Sequence, residues 1–160
     1  MIFVTGPLFA GKQTYIMEAL GWDETAFKTR GVRDVQELAS NLAKKYSADS
    51  AGEFISEKAE DFAVIPAEGS ASGLIEESAS ITADRESRNL SEALQNLADM
   101  LAQKEVVIAT EIGGGVVPLD PGERRNREAA GRLACLLAGR ADTVIRVCCG
   151  LPQFLKGQEL

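Results

Sequence analysis

Ile2-Phe3-Val4-Thr5-Gly6-Pro7-Leu8-Phe9-Ala10-Gly11-Lys12 is the stretch that decides the fold of this chain. Ile2–Thr5 is a short apolar run bounded by a turn, which predicts a buried strand. Gln13–Leu20 follows with a helical pattern. Strand, GxxxxGK and helix in that order form the arrangement of a phosphate-binding loop. Glycines let backbone N–H groups turn inward around a phosphate, and the helix N-terminus adds partial positive charge. The nucleotide-binding candidates are therefore Gly6, Pro7, Leu8, Phe9, Ala10, Gly11, Lys12, Gln13 and Thr14, with Lys12 reaching the β- and γ-phosphates. The pattern asks for Ser or Thr after the lysine, to ligate magnesium, and Gln13 stands there. Thr14 carries a hydroxyl, but one helical step rotates it by about 100°. ATP or GTP is the expected ligand, with Mg²⁺ poorly served. The plain alternative is a glycine-containing strand–helix turn with no ligand.

Outward from this stretch, strands and helices alternate. Phe62–Ile65, Val106–Thr110 and Val144–Cys149 are further apolar runs rich in Val and Ile. Asp34–Tyr46, Arg88–Lys104 and Glu123–Gly139 carry apolar residues at helical spacing, such as Leu90, Leu94, Leu97 and Leu101. Alternation of this kind predicts an α/β fold, an open and mostly parallel sheet with helices on both faces. Residues 67–87, dominated by Ala, Ser, Gly and Glu, read equally as a helix or a loop. With 160 residues and 45% hydrophobic content, one domain spanning 1–160 is expected.

A net charge of −7 argues against a nucleic-acid binder. The chain has no histidine, which excludes Ser-His-Asp hydrolysis, His-ligated zinc and any histidine-linked phosphoryl or guanylyl intermediate on its own residues. Cys135, Cys148 and Cys149 lack a CxxC spacing and sit in apolar runs, so buried free thiols and no metal site are expected. No apolar run approaches a membrane span, and Met1–Gly6 carries no basic leader, so a cytoplasmic location is expected.

A second glycine-rich turn, Thr110-Glu111-Ile112-Gly113-Gly114-Gly115-Val116-Val117-Pro118, follows the third run. In a parallel sheet it emerges at the same carboxyl edge as the first loop. It is either a site of close backbone approach to a ligand or a flexible loop. Glu111 and Glu68 fall at or just after strand ends, where a carboxylate can serve a metal through water or accept a substrate proton. Arg124, Arg125, Arg127 and Arg132 crowd nine positions of an acidic protein. Arg124 and Arg127 share a helix face and suit a phosphate; the other reading is a solvated face paired with Glu123 and Glu128.

Together these residues resemble one family. The Thr110–Pro118 run, then Arg124, Arg127-Glu128 and Gly131-Arg132, then Ala141-Asp142-Thr143-Val144, is similar to the C-terminal half of bifunctional adenosylcobinamide kinase / adenosylcobinamide-phosphate guanylyltransferases. Ile2–Lys12 resembles that family's first strand and phosphate loop, and Phe62–Glu68 its strand ending in an acidic residue. The resemblance implies a P-loop NTPase-like (RecA-like) fold, a place in cobalamin biosynthesis, a corrinoid substrate, and a homotrimer. It implies catalytic roles for Lys12 and Glu68, and a nucleotide or corrinoid pocket shaped by Glu111, Gly113, Gly115, Arg124, Arg127 and Arg132. The sequence departs from the family at Gln13 and in lacking the guanylylated histidine. It also passes from Leu20 almost directly to Phe27-Lys28-Thr29-Arg30, as if a strand and the nucleophile's helix were deleted. Three readings follow: a kinase that has lost guanylyl transfer, a non-catalytic nucleotide-binding or partner subunit, or another small-molecule kinase on the same scaffold.

Overall fold

A computed structural model describes residues 1–46 and 88–160. Five strands form one sheet: β1 (Ile2–Thr5), β2 (Gly31–Val32), β3 (Val106–Ile108), β4 (Thr143–Cys148) and β5 (Leu151–Lys156), in the order β2-β3-β1-β4-β5. The helices are α1 (Lys12–Leu20), α2 (Glu24–Arg30), α3 (35–46), α4 (88–101) and α5 (Pro121–Arg140). The β2–β3, β3–β1 and β1–β4 pairs are parallel, and only β4–β5 is antiparallel. The expected strand at Phe62–Ile65, the residues 67–87 and Glu68 lie outside the described residues.

Register explains why both faces of the sheet are covered. Phe3 sits beside Val107 and Val144, while Val4 sits beside Ile108 and Ile145. Successive strand side chains alternate between faces. Phe3, Val107 and Val144 pack with Val35, Ala39, Leu94, Leu133 and Leu137 from α3, α4 and α5. Val4, Ile108, Ile145 and Val147 pack on the opposite face with Ile16 of α1 and Phe27 of α2. Fully burying a Leu, Val, Ile or Phe side chain stabilises a fold by roughly 1.5–3 kcal/mol each. Two such layers hold the central strands rigid where they deliver their loops. Asp120 caps α5 by accepting from the Glu123 N–H (2.7 Å), with Pro121 in the first turn, where its missing N–H is harmless.

Several expectations need correction. Phe27–Arg30, reached within a few residues of Leu20, belongs to a helix not anticipated from the sequence, α2, which Asp23 caps through the Ala26 N–H (2.7 Å) and which leads into the two-residue strand β2. β5 went unread because it is an exposed edge strand containing Pro152, and a proline at an edge removes no needed ladder bond. All three cysteines are exposed. Cys135 lies on the solvent side of α5, two residues from buried Leu133 and two from buried Leu137. Cys148 occupies an outward position of β4. Among the described residues, no helix is long and apolar enough to cross a membrane.

Candidate phosphate and substrate site

β1 and β3 run side by side, so the turns leaving them are neighbours. The Glu111 N–H donates to the Gly6 carbonyl (3.0 Å), which joins the two glycine-rich turns at one edge of the sheet. The first turn is tightly built. Gly6 has φ 145°, and a Cβ placed on it would stand 2.1 Å from the Val147 carbonyl oxygen of β4. Gly11, at φ 81°, opens α1 with no side-chain cap, so the first N–H groups of that helix are left for another acceptor. Between them the loop holds Phe9 at φ 59°, a residue 94% exposed. On its far side the loop is braced by the β4–β5 turn, where the Gly150 N–H donates to the Ala10 carbonyl (2.9 Å).

Lys12 is buried at the centre of this cradle. Its Nζ donates to the carbonyls of Gly6 (3.1 Å) and Pro7 (2.6 Å), folding the side chain back over the loop. Burial pushes its pKa below the ordinary lysine value, while the carboxylates of Asp34 and Glu111 pull it back up. The folded state thus holds this proton less tightly than the unfolded chain does. That penalty is present at neutral pH and relaxes as pH rises towards the lysine range. An anion in the loop would supply the missing counter-charge.

The magnesium position is poorly equipped. The Gln13 side chain is committed elsewhere: its Oε1 accepts from Arg33 Nη1 (2.7 Å) and its Nε2 donates to Met17 Sδ (3.6 Å). Thr14 is exposed and opens onto a depression shared with Met17, Glu18 and Trp22. No group of three His, Cys, Asp or Glu side chains converges among the described residues. Among the described residues, the loop offers helix N–H groups and an ammonium suited to a phosphate, and no hydroxyl next to Lys12 for a magnesium ion.

The second turn borders a cleft of about 250 Å³ lined by Thr5, Gln36, Thr110, Glu111, Gly113 and Arg127, among others. Gln36, buried at the start of α3, accepts the Thr110 N–H on Oε1 (2.9 Å) and so fixes the end of β3. Glu111 is gripped by a fork from Arg146 of β4, with Nε and Nη2 each 2.9 Å from a carboxylate oxygen. Donating these hydrogen bonds to the Glu111 carboxylate raises the Arg146 pKa above its ordinary value. The arginines of α5 divide their work. Arg124 donates to the carbonyls of Pro118 (2.9 Å) and Leu119 (2.8 Å), and Arg127 to that of Val116 (3.0 Å), pinning the turn to the helix. Arg132 pairs with Glu128 (2.6 Å) one turn back and is not among the cleft-lining residues. Gly115, at φ 97°, is exposed on the turn. Sequence reasoning missed Arg33, Asp34, Gln36 and Arg146. Their only signal was a polar run after a strand too short to recognise, and one arginine in an apolar strand.

Residues 56–155, well over half of the chain, match the family described as cobinamide kinase / cobinamide phosphate guanyltransferase. The chain belongs to this family. Its members are P-loop NTPase-like α/β proteins, so membership agrees with the mostly parallel sheet. It also implies a function of the cobinamide kinase/guanyltransferase type in cobalamin biosynthesis. The family match begins downstream of Gly6–Lys12, so the case for the phosphate loop rests on the geometry above. No individual curated protein matches the chain.

Proposed function

We propose that this cobinamide kinase / cobinamide phosphate guanyltransferase family member binds ATP or GTP at Gly6–Thr14 and transfers the γ-phosphoryl group to the hydroxyl of a cobinamide-type corrinoid, guanylyl transfer having been lost. The observation that carries this reading is the contact between Glu111 and Gly6, which sets the phosphate loop beside the family's second glycine-rich turn. In the reaction the hydroxyl oxygen attacks the γ-phosphorus, the bond to the β-phosphate oxygen breaks, and the hydroxyl proton leaves. Loop N–H groups and the Lys12 ammonium hold the phosphates and offset charge on the leaving diphosphate. Glu68, by resemblance, is the carboxylate that serves either the metal or the hydroxyl, in the latter case taking its proton. The turn from Gly113 to Gly115, held by Arg124 and Arg127, borders the acceptor, and the assembly would be a homotrimer. Incubation with γ-labelled ATP or GTP and cobinamide tests the reading: label moving to the corrinoid supports it, and bound nucleotide with no transfer refutes it.

That refuting result would favour a second reading, a nucleotide-binding partner subunit, which the Gln13 substitution supports. Gln13→Ser should raise nucleotide affinity in Mg²⁺ relative to EDTA, because a hydroxyl to the ion returns. The wild-type ratio should stay near one. Titration calorimetry of both proteins with and without Mg²⁺ reads this directly; an unchanged ratio in the variant would place the metal defect elsewhere.

By the resemblance, guanylyl transfer in this family passes GMP through a covalent intermediate on histidine, and the chain has no histidine. Incubation with α-labelled GTP, then denaturation and intact-mass measurement, should show no GMP adduct. A phosphoramidate on lysine would need a desolvated amine of lowered pKa beside the α-phosphate. Lys28, Lys44 and Lys45 are all exposed, and Lys12, which is buried with a lowered pKa, is held by the Gly6 and Pro7 carbonyls and reaches for the β- and γ-phosphates. A surviving adduct of one GMP would mean that another nucleophile has taken over.

A further inference from the structure

β4 ends at Cys148, and the chain returns into β5 through Cys149 and Gly150, both at positive φ (53° and 79°). A two-residue hairpin of this kind favours Asn-Gly, because both central residues must adopt left-handed backbone. Cysteine at the first central position changes where its side chain goes. Successive residues of a strand point to opposite faces, whereas the left-handed backbone at Cys149 leaves the two Sγ atoms 4.0 Å apart. Both thiols are exposed.

Distance decides what this pair can do. A disulfide needs sulfurs about 2.05 Å apart on Cα atoms usually at least about 4.4 Å apart. Consecutive Cα atoms are only about 3.8 Å apart, so that ring is strained. A tetrahedral ion with metal–sulfur bonds of about 2.3 Å spans sulfurs about 3.8 Å apart, which the pair reaches with a small side-chain rotation.

We propose that Cys148 and Cys149 form a two-thiolate site for a soft divalent cation of the Zn²⁺ or Cd²⁺ kind, carried on the turn that braces the phosphate loop. Each thiol gives its proton to solvent, two metal–sulfur bonds replace two metal–water bonds, and no oxidant takes part. No third His, Cys, Asp or Glu completes a cluster among the described residues, so water or a small molecule fills the remaining positions. The site lies one hydrogen bond from the loop, through Gly150 to Ala10.

The test is a titration of freshly reduced protein without a histidine tag, under anaerobic conditions, with Cd²⁺. Ultraviolet thiolate-to-metal absorption is followed together with proton release. One ion per chain and two protons per ion are expected. Cys148→Ser and Cys149→Ser should each abolish the absorption with unchanged circular dichroism, and Cys135→Ser should leave it intact. Absorption surviving in Cys149→Ser, one ion shared between two chains, no absorption at all, or loss of two hydrogens by mass would each overturn the proposal. None of these readouts depends on nucleotide binding.

Discussion

Gly6→Ala should destabilise the fold by about 3 kcal/mol and lower the melting temperature by roughly 6–12 °C, the largest effect expected of any single-methyl change in the loop. Two costs combine at this position. An alanine has to hold φ near 145°, a region that L side chains rarely adopt, and its Cβ would fall 2.1 Å from the Val147 carbonyl oxygen. Neither the β1 backbone nor the β4 backbone can yield, because each is paired on both sides within the sheet. The strain would move the loop and release the Glu111 N–H from the Gly6 carbonyl, so nucleotide binding should fall with stability. Gly113→Ala is the matched control, since nothing lies within 4 Å of a Cβ built there. Its stability should stay within about 0.5 kcal/mol of wild type. Thermal and urea unfolding of the two variants measure the contrast; equal stabilities would show that the close approach of β4 to the loop is not real.

Lys12→Ala carries the largest expected functional effect. A hydrogen bond to a charged group contributes about 1.5–3 kcal/mol, so ATP or GTP affinity should drop by roughly 10- to 150-fold. Stability of the free protein should change far less. The variant loses a buried ammonium whose burial was costly, and in exchange leaves the Gly6 and Pro7 carbonyls without that donor. Lys12→Arg should not rescue binding, because a planar fork cannot repeat the compact fold-back of the ammonium in so tight a loop. Calorimetric titration of wild type and both variants reads the outcome, and unchanged affinity in Lys12→Ala would reduce the loop to a plain turn.

Much of this architecture was legible in the sequence because burial on both faces makes parallel strands read as unbroken apolar runs. Ile2–Thr5 and Val106–Ile108 are such runs, and Thr143–Cys148 is one interrupted only by exposed Arg146. Gly31–Val32 is not: two residues in a polar setting become a strand only through pairing with Val106 and Val107. The cysteines were misplaced for a related reason. An apolar neighbourhood in sequence does not fix which side of a helix or strand a residue occupies, and Cys135 and Cys148 fall on the outward side. In the site, the two glycine-rich turns announced themselves through composition and position. The cross-chain contacts did not. Arg146 to Glu111, Arg33 to Gln13 and Gln36 to Thr110 join residues 20 to 74 positions apart, and only the folded sheet brings them together.

The central claim is that the loops leaving β1 and β3 form one ligand site. Amide-resolved NMR during a titration with ATP or GTP tests it most directly. Amides of Gly6–Thr14 and of Glu111–Gly115 should shift together and fit a single dissociation constant, with Gly150 following through its bond to Ala10. Shifts confined to one of the two loops, or two loops titrating with separate constants, would contradict it.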